Sequence, residues 1–253
     1  MKETLYTIPL NDAINADDEC PFCFIEREIE QDLLDFVLGS GSSYMESDVR
    51  EATDHAGFCR THFKKMFDYG NTLGNGWILK THYMQINKEL KEQFQKYTPT
   101  KTPLMGKYKK NSEPVSSIGV WMAAKDKSCY VCNRFKDTYD RYMDTFFFLY
   151  KKDDAFRKKV LSGKGFCLTH FAYLCEYGET RLSDKEKKEF YPAIFELMDK
   201  NMARLQEDVT WLVDKFDYRN QNADWKNSKD AIQRGMQKLK GGYPADPVYK
   251  QSK

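Results

Sequence analysis

The sequence predicts an all-α fold made of two repeated helical units of about four helices each, followed by a C-terminal helix. Three observations predict it: apolar residues recur at three- and four-residue spacing, nothing alternates with period two over a useful length, and one segment recurs. Residues 57–70, GFCRTHFKKMFDYG, return 108 positions later as residues 165–178, GFCLTHFAYLCEYG, with eight of fourteen positions identical. Upstream, Cys20-Pro-Phe-Cys23 returns 109 positions later as Cys129-Tyr-Val-Cys132. Two matches in one register, offset by a single loop residue, predict an internal duplication.

The elements follow in chain order. Asp17, Asp18 and Glu19 precede Cys20, and Pro21 suits a first helical position, so a helix starts there. Apolar residues at 25, 29, 33, 36 and 37 carry it to Gly39. A short second helix is predicted near 47–54, and a third opens at the Phe-Cys-x-Thr-His motif and stops at Gly70. Leu79, Ile86, Leu90 and Phe94 mark a long fourth. In the second half Val131, Phe135, Tyr139, Tyr142, Met143 and Phe146 mark the first helix and 153–162 the second. The third ends at Gly178, and a last one spans about 183–217, kinked or split at Pro192. Between the halves, TPTKTPLMGKYKKNSEPVSS reads as a linker or surface excursion, its basic run Lys107–Lys110 solvated. The expected division is 1–98 as a first repeat with one metal site, 99–115 as linker, 116–220 as a second repeat with the other metal site, and 221–253 as a C-terminal helix and loose tail.

Composition narrows the function. With 40 Lys and Arg against 38 Asp and Glu, the net charge is +2, which offers no electrostatic footprint for nucleic acid or an anionic membrane. The longest apolar runs, such as Phe146–Leu149, are too short to span a bilayer, and the N-terminus lacks a signal-peptide core. The expectation is a soluble cytoplasmic protein, where seven cysteines serve as metal ligands or redox groups rather than disulfides.

Each half offers three cysteines and one histidine: Cys20, Cys23, Cys59 and His62, then Cys129, Cys132, Cys167 and His170. Two intervening residues let both side chains of one turn reach a single ion, and two such knuckles assemble a tetrahedral zinc shell. Both knuckles fall at predicted helix N-termini, where the dipole favours thiolate. Within each half an antiparallel helix pair is expected to join the knuckles across 35 or 34 residues. Two zinc ions are the expected cofactors, with iron–sulfur clusters on the same ligands as the alternative. Four protein ligands leave a zinc ion no open position, so a structural role outranks a catalytic one.

Other residues are less telling. Cys175, whose repeat partner is Phe67, is expected in the core, and His82 as a satisfied, partly buried side chain. Lys215, Asp217, Tyr218 and Arg219 form a possible secondary site in which Arg219 holds an anion and Asp217 or Tyr218 moves a proton. The competing reading is a charged helix junction with Trp225 over the core edge and Ser228 as an N-cap.

The CPxC and GFCxxH pairing, together with Lys215–Asn220 (KFDYRN) and Ser228–Ala231 (SKDA), resembles an uncharacterised bacterial family of duplicated helical proteins, a domain of unknown function. The resemblance covers roughly residues 15–240 and implies bacterial origin but no activity. Three functions fit: a zinc-stapled scaffold binding an unidentified protein or small ligand, an iron–sulfur redox protein or enzyme, and a zinc/thiol redox sensor.

Overall fold

The computed structural model describes residues 5–41, 43–99, 114 and 116–252. Nearly all of the expected linker, including Lys107–Lys110, lies outside the described residues. Among those described, eleven α-helices and two short 3-10 turns account for the regular structure, with no strand.

The helices are α1 (Thr7–Asn15), α2 (Pro21–Leu38), α3 (Ser47–Ala56), α4 (Arg60–Tyr69), α5 (Thr72–Lys96), α6 (Ser117–Asp126), α7 (Tyr130–Lys152), α8 (Asp154–Ser162), α9 (Leu168–Arg181), α10 (Asp184–Asp214) and α11 (Ala231–Lys240). The sequence of short, long, short, short, long helices thus runs twice before α11. Helices α1 and α6 had no sequence signal. Only Leu10 and Ala13 of α1 are buried, and no residue of α6 is, so neither carries an apolar stripe long enough to read. What starts α6 is a cap: the Gly119 N–H donates to Ser116 Oγ at 3.0 Å.

Two expected helix ends moved. Gly70 does close α4, in the left-handed conformation at φ 90°. Gly178 does not close α9, which continues to Arg181. A Cβ there would sit 3.1 Å from Tyr191 Oη and 3.6 Å from Phe147 Cζ, so this glycine admits a close approach. Pro192 does not split α10, which holds 31 residues. The buried Phe190 and Ile194 on either side anchor the helix where its hydrogen-bond ladder loses a donor. Asp230, not Ser228, occupies the N-cap of α11; buried Ser228 donates from Oγ to the Trp225 carbonyl at 2.7 Å.

The chain forms two compact units. Unit 1 holds residues 1–29 and 137–247, and unit 2 holds residues 30–136 and 248–253. These differ from the expected repeats at 1–98 and 116–220, because α2 and α7 each contribute to both units. In unit 1 the core centres on Phe22, Phe146 and Phe166, whose rings lie 5.4–6.1 Å apart. In unit 2, Leu34, Val37 and Leu38 of α2 pack with Val49, Met66, Ile78 and Val131. The end of the expected loose tail is instead bound to unit 2: Tyr249 Oη donates to Glu30 Oε2 at 2.6 Å, Ser252 Oγ to Asp35 Oδ2 at 2.5 Å, and Gln31 Nε2 to the Lys250 carbonyl at 2.7 Å.

Candidate metal centres

The GFC glycine sets up each knuckle. Gly57 and Gly165 adopt φ 62° and 76°, which a side chain would strain. That turn buries Phe58 and Phe166 and leaves Cys59 and Cys167 as the N-caps of α4 and α9. His62 and His170 follow three residues on, one turn into the helix. The Gly57 carbonyl also accepts the Tyr130 N–H at 2.9 Å, tying this knuckle to the start of α7. A Cβ on Gly57 would stand 2.9 Å from His82 Cε1. Gly57→Ala is therefore expected to destabilise unit 2 by about 1–3 kcal/mol in chemical denaturation, combining left-handed strain with overpacking.

All eight sequence-predicted ligands come together in two clusters, but not in the expected sets. Cys20 and Cys23 join Cys167 and His170 (site A), while Cys59 and His62 join Cys129 and Cys132 (site B), with all four ligand atoms of each within 4.8 Å of one another. Each site takes its Cys-x-x-Cys from one half of the sequence and its Cys-x-Thr-His from the other. Site A lies wholly in unit 1 and site B wholly in unit 2.

The geometry is alike in both. In site A, His170 Nδ1 is 3.4 Å from Cys20 Sγ, 3.5 Å from Cys23 Sγ and 3.2 Å from Cys167 Sγ, and the Cys23 and Cys167 sulfurs are 3.8 Å apart. In site B, His62 Nδ1 is 3.2, 3.3 and 3.4 Å from Cys59, Cys129 and Cys132 Sγ, and the Cys59 and Cys132 sulfurs are 3.9 Å apart. Nδ1 is the inward atom each time, and Nε2 meets a glutamate one turn apart on α2. Glu30 Oε1 is 3.4 Å from His62 Nε2. Glu26 Oε1 is 3.0 Å from His170 Nε2, an ion-pair distance outside hydrogen-bond alignment. Glutamates in this position fix ring orientation and tautomer in metal-binding histidines. Sequence reasoning missed them, since a glutamate on a charged helix has no spacing signature.

The electrostatics show how charge is shared by the protein groups. Burial opposes protonation of both imidazoles, yet bonds to Cys129 and Glu30 raise His62 to about 10, and bonds to Cys167 and Cys23 with the charge of Glu26 raise His170 to about 12. Burial also works to raise Cys129, but the His62 bond brings it down to about 6, while burial beside Cys129 and Cys59 lifts Cys132 to about 12. In site A, burial pushes Cys20 far up, the Cys167 bond raises Cys23, and Cys167 drops well below the thiol range through bonds from Cys20 and Cys23. In each cluster one depressed thiol thus faces one raised imidazole.

The sites differ in cover. All four ligands of site A are buried, whereas in site B Cys59 is half-buried and Cys132 exposed. The end of α11 seals site A. Gly241, at φ 79°, lies so near that a Cβ would be 3.4 Å from Cys167 Sγ and 3.6 Å from Cys23 Sγ. Helix α11 is held by Lys238, 1% exposed, which donates to the Glu19 and Lys164 carbonyls at 2.6 Å each. Glu19 Oε2 stands 3.3 Å from that ammonium, with Arg204 at 2.5 Å and Arg234 at 3.4 Å from the same carboxylate.

The secondary cluster is placed differently from a convergent site. Lys215 is buried and donates to the carbonyls of Asn220, Gln221 and Ala223 at 2.6–2.9 Å, filling its three N–H positions, with Trp225 5.0 Å beneath. Arg219 pairs with Asp217 at the surface, and Tyr218 is 79% exposed. Cys175 is half-buried and its repeat partner Phe67 is 79% exposed, so the expected core position is not occupied in either half. His82 is half-buried, with Nδ1 2.9 Å from the Asp54 carbonyl.

No helix among the described residues is long and apolar enough to cross a membrane. The chain belongs to a family described as a family of unknown function (DUF6062), whose model matches residues 1–246. Neither the curated proteins nor the solved structures contain a match.

Proposed function

We propose that this member of a family of unknown function is a zinc protein, in which two Cys3His ions act as structural staples of a duplicated helical scaffold that binds a partner or small ligand. The observation carrying this is the size of the two ligand shells. Zinc–sulfur bonds of about 2.3 Å and a zinc–nitrogen bond of about 2.0 Å at tetrahedral angles imply S···S edges of about 3.8 Å and S···N edges of about 3.5 Å. Four edges in each cluster measure 3.2–3.9 Å and every edge is within 4.8 Å, which matches a shell around one ion.

The same size disfavours iron–sulfur clusters. In a four-iron cluster each ligand binds a different iron, and the inorganic body between them spreads the protein sulfurs apart. Ligand atoms all within 4.8 Å leave no room for that body. With three thiolates and a neutral imidazole, a zinc shell is full and carries a net charge of −1. The zinc would supply folding energy rather than a reactive position. For ligand binding, each unit offers a cleft: about 620 Å³ lined by charged groups such as Asp18, Lys164 and Arg204 in unit 1, and about 800 Å³ lined by Phe58, Phe63, Trp121 and Met122 in unit 2.

Elemental analysis with a visible spectrum of anaerobically purified protein tests this reading. Two zinc per chain and no charge-transfer band are expected; iron with acid-labile sulfide contradicts it. Glu30→Gln is expected to weaken zinc at site B by about 10- to 100-fold in a chelator competition, with site A unchanged, because His62 loses its carboxylate partner.

A further inference from the structure

We propose that the two centres have divided roles: site A is inert, and site B carries an oxidant-sensitive thiol pair, Cys132 and Cys59, whose oxidation to a disulfide releases its metal. The inference rests on the Cys3His zinc reading and goes beyond it by assigning reactivity to one site and order to its sulfurs.

Two sites of one composition and one size should react alike if chemistry were set by ligands alone. Access separates them. An oxidant meets site A only after α11 lifts, since the Gly241 backbone lies against Cys167 and Cys23 and Lys238 fastens that helix through two carbonyls. The described residues place no equivalent cover on site B, where Cys132 is exposed, Cys59 is half-buried and only Cys129 is fully buried among the three sulfurs. Cys59 also lines the 800 Å³ cleft of unit 2, a second route for a small reactant. The exposed sulfur has a partner in place: Cys59 Sγ is 3.9 Å from Cys132 Sγ, close enough for a bond after side-chain rotation.

The chemistry balances with a peroxide as oxidant. The Cys132 thiolate attacks one peroxide oxygen; the O–O bond breaks, the sulfur becomes a sulfenic acid, and the departing hydroxide takes a proton to leave as water. The Cys59 thiolate then attacks the Cys132 sulfur, forming the S–S bond and expelling hydroxide, which leaves as a second water. Two thiolates are oxidised by two electrons and one peroxide is reduced. Cys129 and His62 are left as two ligands, too few to retain a zinc ion.

The test uses the full-length zinc-loaded protein, first shown to contain two zinc per chain, and titrates it with hydrogen peroxide in the presence of a chromophoric zinc chelator. One zinc of the two is expected to be released, with Cys59 and Cys132 joined in the peptide map and Cys20, Cys23 and Cys167 alkylated only after denaturation. Reductant and zinc should restore the second ion. Parallel release of both ions, a disulfide involving Cys20, Cys23 or Cys167, or no release at peroxide levels that already oxidise the half-buried Cys175 would overturn the proposal. A Cys129–Cys132 bond would overturn the assignment of Cys59. Fewer than two zinc at the outset would instead count against the Cys3His zinc reading itself. A second variant tests access: Gly241→Ala, which strains the left-handed turn at the end of α11 (φ 79°), should loosen that cover, open site A to alkylation and convert release from one zinc to two, and unchanged protection would contradict the sealing role given to α11.

Discussion

Cys167→Ser is expected to unfold residues 1–29 together with residues 137–247 while leaving residues 30–136 folded. Site A is built entirely from unit 1, and the binding energy of a structural zinc is folding energy, about 10–16 kcal/mol in zinc-finger peptides near neutral pH. Whole domains are stable by only about 5–15 kcal/mol, so loss of one ligand is a large fraction of what unit 1 has. Hydrogen exchange resolved by segment reads the effect. Protection should collapse in residues 5–29, 130 positions and more from the substitution, because Cys20 and Cys23 lose their ion along with His170. Pairing within sequence halves would predict retained protection there and loss confined to the second half.

Glu19→Ala is expected to cost about 3–5 kcal/mol, read as a fall in the denaturation midpoint of unit 1. Glu19 is 2% exposed and is the carboxylate that faces Arg204, Arg234 and Lys238. Burial works to raise its pKa, but the hydrogen bond from Arg204 and the charge of Lys238 lower it, so it is ionised at neutral pH. Removing it leaves buried Lys238 without a counter-charge beside Arg204 and Arg234, and stranding a buried charge is costlier than the pair was favourable. Arg234 keeps Asp208 and Asp230, and Lys238 keeps its two carbonyls, which holds the loss below complete unfolding. Lys238→Met in the same background should recover part of the midpoint by removing the least compensated cation.

The eight ligands and the helical class were legible in the sequence because both rest on spacing, and spacing survives without tertiary knowledge. The partition of the ligands was not. The likeness of the two motif copies makes them interchangeable: either Cys-x-x-Cys can complete either Cys-x-Thr-His, and 34 or 35 intervening residues leave both routes open. Only the way α2 and α7 share their lengths between the two units decides it. Glu26 and Glu30 were invisible for a related reason, as their role depends on which imidazole they reach. The tail reads as loose in the sequence, yet Tyr249, Lys250 and Ser252 are bound to α2 through polar contacts that no periodicity reveals.

The crossed pairing is tested most directly by zinc content in two fourfold variants purified as soluble protein. One replaces Cys20, Cys23 and Cys167 by Ser and His170 by Ala; the other replaces Cys20, Cys23 and Cys59 by Ser and His62 by Ala. The first removes all of site A and should keep one zinc, while the second halves both sites and should keep none. No zinc in the first and one in the second would contradict the crossed centres.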